Sequence, residues 1–297
     1  MFTRSTEGCL KRYAGPADTP LLAGPLCFFA SFSENKTFPA LVSTANRWED
    51  FGFSPAEHLI GHGKRERLPC MTSHGSQPQL AVIFDMDGVL IDSYRAHFES
   101  WRIVAAEEGL HITEEQFSHT FGRTSREIIA ALWGDRTPGD ERIRELDDRK
   151  EAAFRDLIRD NFPIMPGALE LLDALHAAGF GVGIGSSGPP ENVALTVEKL
   201  ARRHIFGAII TGKDVTRGKP DPQVFLLAAE KLNVPPQRCA VVEDAPPGIE
   251  AAHRAGMKAV GFASTGRTPQ MLSQADLVVR SLFELSPERF RQLILGG

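Results

Sequence analysis

From residue 80 onward the chain alternates short apolar runs with segments of helical period. The runs lie at 80–84, 180–185, 208–210, 239–242, 259–262 and 277–279. Each is too short for a helix, and the first runs directly into acidic and glycine residues, so each predicts a buried strand. Between them, 168–178, 191–203, 222–232 and 247–255 carry apolar residues at helical spacing. Asp221-Pro222 and Thr268-Pro269 have the form of an N-cap followed by proline at the first helical position. Alternation of this kind predicts an α/β fold, a parallel sheet with helices on both faces.

Residues 93–162 break the alternation, with helical segments and no convincing strand. Thr113 with Gln116, and Thr124 with Glu127, fit capping boxes, and Ile112 with Phe117 fits a hydrophobic staple for the first. The stretch 140–160 is dense in charges of both signs and predicts a solvated amphipathic helix. An all-helical insert directly after the first strand's loop predicts a cap over whatever that loop does. Residues 1–78 show neither period. Their apolar segment 20–33 follows Arg4, Lys11 and Arg12 like a signal peptide, but Pro25 interrupts it and no clear cleavage site follows. The expectation is a disordered extension, or a true start at Met71. The expected domains are therefore an extension at 1–78, a core at 79–92 and 163–297, and a cap at 93–162.

Composition removes several classes. Lys and Arg number 33 against 38 Asp and Glu, a net charge of −5, which gives no support for a nucleic-acid or membrane-surface partner. No apolar stretch reaches transmembrane length. Cys9, Cys27, Cys70 and Cys239 form no C-x-x-C pair, which suits a reduced, cytoplasmic setting.

The candidate chemistry lies at strand ends. Asp85 and Asp87 stand in Phe84-Asp85-Met86-Asp87-Gly88-Val89-Leu90, after the first strand, where open α/β sheets bind their ligands. Two close carboxylates imply a bound cation or a shifted pKa, or else a solvated turn; Mg²⁺ is the natural hard cation. Ser186-Ser187-Gly188 ends the second strand before a helix, and is either a phosphate-oxygen site or an ordinary turn. The same stretch, Gly183-Ile184-Gly185-Ser186-Ser187-Gly188, has the dinucleotide-binding glycine spacing. That reading also wants an acidic residue at the end of the next strand, and Asp214 comes too late. Lys219 lies in the rigid loop Gly218-Lys219-Pro220-Asp221-Pro222, either solvated or set to neutralise a phosphoryl group. Glu243-Asp244 ends a further strand, and buried strands rarely end in paired acids without a cation.

The order of these motifs resembles the haloacid dehalogenase superfamily of phosphotransferases, from about Leu80 to the C-terminus. Within it, the segment from Phe84 to Leu90, followed by Asp92-Ser93 and His97, is most similar to the β-phosphoglucomutase-like branch. The resemblance implies a Rossmann-like core with an inserted all-helical cap. It implies that Asp85 is the nucleophile that forms an aspartyl-phosphate and Asp87 the general acid/base. Mg²⁺ would be held by the Asp85 carboxylate, the Asp87 main-chain carbonyl and Asp244, with Glu243 nearby. Ser186 and the N–H of Ser187 would bind phosphoryl oxygens, and Lys219 would offset charge. In the cap, His97 would help position the substrate or else is a satisfied histidine of the first cap helix. Gly122, Arg123 and Arg126 would fall in the substrate loop, where the two arginines either replace a missing phosphate grip or are only solvated. This chain departs from the mutase pattern at Ser125, where an arginine is expected, and at Gly188-Pro189-Pro190, which replaces polar residues. The expected activity is therefore Mg²⁺-dependent hydrolysis of a small phosphorylated metabolite, a sugar phosphate first of all. A mutase of the β-phosphoglucomutase kind is the alternative. A non-catalytic sugar-phosphate sensor is disfavoured because every catalytic position is filled.

Overall fold

The computed structural model describes residues 79–296. The expectations for 1–78, including a start at Met71, lie outside the described residues. Six parallel strands form one sheet in the order β3-β2-β1-β4-β5-β6. They are β1 (Ala81–Phe84), β2 (Gly181–Gly185), β3 (Phe206–Ile210), β4 (Cys239–Glu243), β5 (Lys258–Phe262) and β6 (Leu277–Val279). Each lies within a residue or two of its apolar run. Helices α1 (Tyr94–Glu107), α2 (Glu114–Ser118), α3 (Ser125–Trp133) and α4 (Asp140–Arg159) follow β1. Helices α5 (Ala168–Ala177), α6 (Pro190–Leu200), α7 (Gln223–Leu232), α8 (Pro246–Arg254) and α9 (Pro287–Leu295) complete the domain. No described helix is long and apolar enough to cross a membrane.

The strand pleat sorts residues onto two faces. Val82 and Phe84 of β1 pack into a cluster with residues of α5, α6 and α9. Ala81 and Ile83 face the other way, into a cluster with α7 and α8. A third cluster belongs to the insert and holds Tyr94, Phe98, Trp101, Phe117, Ile129 and Leu146. Helix α4 joins two of them. Its buried stripe reads Ile143, Leu146, Lys150, Phe154, Ile158, the spacing of one helical face. The first two residues pack in the insert, whereas Phe154 and Ile158 pack in a sheet cluster. Truncating Phe154 to alanine would cost about 3–5 kcal/mol by the usual cavity arithmetic. The chain enters and leaves the insert through paired linkers. Asp92 N–H donates to the Pro163 carbonyl at 2.9 Å and Met165 N–H to that of Leu90 at 3.0 Å.

Both capping boxes are present, at Thr113 with Gln116 and Thr124 with Glu127. Ile112 and Phe117 are both buried in the insert's cluster. Three expectations need correction. Helix α7 begins at Gln223 with Pro222 as N-cap, although the Asp221 carboxylate still accepts the Gln223 N–H at 3.1 Å. Thr268-Pro269 starts no helix; the segment is a run of turns whose N–H groups reach back three residues, as Met271 does to Thr268. The charged run 140–160 is helical, but it is not solvated throughout, since Lys150 is 4% exposed.

Candidate active site

Parallel register carries distant segments to one edge. Phe84 lies opposite Ile184 on one side and Val242 on the other. The ladder runs one residue further, with Asp85 N–H donating to the Val242 carbonyl and Ser186 N–H to that of Ile210, both at 3.0 Å. Asp85, Ser186 and Glu243 therefore emerge together, beside the point where the strand order reverses. After Asp85 the loop folds tightly, Gly88 N–H reaching the Ile91 carbonyl at 2.8 Å. This presses Gly88 onto β4's far end. A Cβ there would lie 2.5 Å from Asp244 Oδ2, and φ is +76°, so glycine alone fits.

Asp85, Glu243 and Asp244 are buried, with one carboxylate oxygen from each inside a 4.8 Å group. Lys219 Nζ donates to Asp85 Oδ1 at 2.6 Å and to Glu243 Oε1 at 2.7 Å. The second Glu243 oxygen accepts the Ala245 N–H at 2.8 Å. Burial raises the Asp85 carboxyl well above its ordinary value; Lys219 opposes this, while Glu243, Asp244 and Asp87 add to it. Burial and Glu243 push Asp244 up to about 7, against the pull of Arg267. Burial works against the Lys219 charge, but Asp85 and Glu243 outweigh it and raise the ammonium's pKa. An all-oxygen donor set with negative charge left over fits a hard divalent cation such as Mg²⁺. Asp85 and Asp244 are the side chains to hold it. Glu243, with both oxygens engaged, would support from outside.

Asp87 does not join this carboxylate group. Its Oδ1 lies 3.0 Å from His97 Nε2, and His97 Nδ1 lies 2.8 Å from Lys150 Nζ. A lysine ammonium has no acceptor, so Nδ1 must accept and Nε2 carries the proton given to Asp87. Burial alone would raise Asp87, but His97, with Lys150 behind it, brings the carboxyl below its ordinary value. His97 also stacks on Phe154, with ring centroids 4.1 Å apart.

Together these groups line a cleft of about 540 Å³ between the strand edge and the insert. Ser186, Ser187, Gly122 and Arg123 line it as well. The buried Ser186 hydroxyl accepts the Gly188 N–H at 3.0 Å, which aims its own proton elsewhere. Arg126 is the correction. It is not among the cleft's residues but pairs with Asp140 at 2.8 Å on the exposed side of the insert, because the capped start of α3 points it outward. Asp214 is explained too: its carboxylate accepts the N–H and hydroxyl of Thr211, both at 2.8 Å, closing its own turn.

Sequence reasoning missed Lys150, Glu151 and Arg267. Lys150 had a signal, a lysine on the apolar stripe of α4. Arg267 had none in the loop after β5. Its Nε lies 3.4 Å from Asp244 Oδ2 and its Nη2 3.4 Å from the Phe121 carbonyl, and its guanidinium lies 4.8 Å from the Phe121 ring centroid.

Known proteins resemble this chain in sequence and in fold. The chain is 36% identical over 214 residues to the β-phosphoglucomutase of Bacillus subtilis, covering 70% of this chain and 92% of that one. It is 33% identical over 183 residues to a phosphorylated carbohydrates phosphatase of Thermotoga maritima, covering 61% and 83%. Among solved structures, the β-phosphoglucomutase of Clostridium difficile superposes with a TM-score of 0.65 at 28% identity, covering 73% of this chain and 97% of that one. With residues 80–256 matching the haloacid dehalogenase-like hydrolases, from the first strand to just past α8, this chain belongs to that family of enzymes.

Proposed function

We propose that this enzyme is a Mg²⁺-dependent phosphatase of small phosphorylated metabolites, sugar phosphates first among them, acting through an aspartyl-phosphate on Asp85. The observation that carries the reading is the meeting of Asp85, Asp87, Ser186 and Lys219 in one cleft. An Asp85 carboxylate oxygen attacks phosphorus and the ester P–O bond breaks, while Asp87, which takes up a proton when the anionic phosphate enters beside it, gives that proton to the leaving oxygen. Water then attacks the aspartyl-phosphate, returns a proton to Asp87, and frees inorganic phosphate and Asp85. Ser186 and the Ser187 N–H hold phosphoryl oxygens, and Lys219 offsets the charge of Asp85 and of the transferring group. Mg²⁺ at Asp85, Asp244 and the Asp87 carbonyl would supply positive charge against the phosphoryl oxygens.

Mutase chemistry is the second reading, favoured by Arg123 and Arg267, two cations lining the cleft. Hydrolysis ranks above it because Arg126 is paired with Asp140 and because Gly188-Pro189-Pro190 offers no polar side chain to a second phosphate. The test supplies β-glucose 1-phosphate with a trace of the 1,6-bisphosphate and Mg²⁺. Phosphate release is expected to outpace glucose 6-phosphate formation. Fast isomerisation with little phosphate release reverses the ranking.

A further inference from the structure

The chain of contacts that reaches Asp87 does not end inside the insert. Lys150 Nζ donates to Glu151 Oε1 at 2.7 Å. The other Glu151 oxygen, Oε2, accepts from Asn192 Nδ2 at 2.6 Å. Asn192 Oδ1 in turn accepts from Arg155 at 2.8 Å. Asn192 is 1% exposed and lies in the first turn of α6, immediately after the Ser186-Ser187-Gly188 turn. The series thus runs from Asp87 through His97, Lys150 and Glu151 of the insert to a side chain of the sheet domain.

We propose that Glu151 and Asn192 are positioning residues, a tether between α4 and α6 that sets Lys150 against His97 and so fixes the proton-bearing face of Asp87. The inference rests on the phosphatase reading for its kinetic consequence, though not for its geometry. Three features carry it. The first is donor matching. Asn192 gives its NH₂ to a carboxylate and its oxygen to a guanidinium, so the reversed amide would meet two mismatches and its orientation is determined. Next is charge. A buried lysine is costly without a counter-ion, and Glu151 is that counter-ion. Burial would raise the Glu151 carboxyl, but Lys150 and His97 outweigh it and hold the group below its ordinary value. The third is place. Asn192, in the first turn of α6, stands six residues past Ser186 on the same β2–α6 connection, so one segment aligns both the proposed phosphate site and the acid/base arm.

The test uses the full chain with Mg²⁺ and p-nitrophenyl phosphate as probe. Asn192→Leu removes both hydrogen bonds at similar volume, and Glu151→Gln removes the counter-charge while keeping an acceptor. Each is expected to lower kcat roughly tenfold, the usual effect of losing a hydrogen bond to a charged group. KM should stay within about twofold, because Asn192 lies outside the cleft and both Glu151 oxygens are taken by Lys150 and Asn192. Because the tether acts through Lys150, Lys150→Met and Lys150→Met/Asn192→Leu should have equal kcat. Hydrogen exchange of α4, measured without substrate, should speed about tenfold in Asn192→Leu. An unchanged kcat in both single variants, or a kcat loss that multiplies in the double variant, overturns the tether. A wild type that releases no phosphate sinks the phosphatase reading alone. The tether is then decided by exchange: faster in α4 supports it, and unchanged overturns it.

Discussion

The floor and the roof of the cleft are built by different means. On the floor, Asp85, Ser186 and Glu243 stand at the ends of neighbouring parallel strands, and backbone register sets their spacing. In the roof, His97 and Lys150 come from two helices and meet only through their side chains, by a 2.8 Å hydrogen bond and by packing over Phe154. A register cannot slip without turning every apolar side chain to the wrong face. A side-chain arm has no such guard and needs partners at each link. The floor is therefore expected to keep its fold only under isosteric change and to lose activity even then, whereas changes in the roof should be graded with distance from Asp87.

Breaking the floor gives the largest effects. Asp87→Asn keeps the shape but removes proton transfer, so kcat for phosphate release should fall about 10²–10⁴-fold. Two links out, Lys150→Met leaves His97 Nδ1 unpartnered, and kcat should fall about 10–100-fold. A smaller loss than that of Asp87→Asn, measured on the same probe, supports the gradient; an equal loss contradicts it.

The floor's carboxylates also predict a pH dependence. Asp244 sits at about 7 in the folded chain. Its unfolded value is about 3.9. The folded state thus favours the proton, so this group's stabilisation is whole below pH 4 and is lost as pH rises through about 7. Mg²⁺ needs the same carboxylate ionised. Mg²⁺ affinity, measured by titration calorimetry, should fall up to about tenfold per pH unit below pH 7. The rise in Tm on adding Mg²⁺ should be larger at pH 8 than at pH 6. Affinity flat from pH 5 to 8 would contradict the account.

The smallest effect separates two arginines, one of the insert and one of the loop after β5. Arg126→Ala should leave kcat/KM within about twofold, because its partner is Asp140 on an exposed face. Arg267→Ala should raise KM about tenfold, since that guanidinium lies in the cleft between Asp244 and the Phe121 carbonyl. The reverse order would return the substrate-loop role to Arg126.

The same contrast explains what the sequence made legible. Floor residues follow apolar runs, and a strand's direction and end can be read from a run of five residues, as Leu80 to Phe84 place Asp85. Roof residues depend on which way a helix turns. Arg126, two residues past Thr124, was assigned to the substrate loop, yet the capping box at Thr124 directs it to Asp140. The charges of 140–160 read as a solvated face because their number hid one residue's phase. Lys150 shares the stripe of Leu146 and Phe154, and helical phase was enough to find it. Asn192 could not be found so, since its partners are 41 and 37 residues away. Thr268-Pro269 carried a helix-start signal, but the segment before β6 closes into consecutive turns instead of a helix.

The central claim is that Asp85 carries the phosphoryl group between two steps. Acid quenching of the full-length enzyme within one turnover of β-glucose 1-phosphate and Mg²⁺, followed by peptide mass analysis, tests it directly. The account predicts a mass gain of one phosphoryl group on the peptide containing Asp85, lost in base and absent from Asp85→Asn, which should fold normally but release no phosphate. Phosphate release by Asp85→Asn at the wild-type rate, or a phosphoryl group found on another residue, would contradict it.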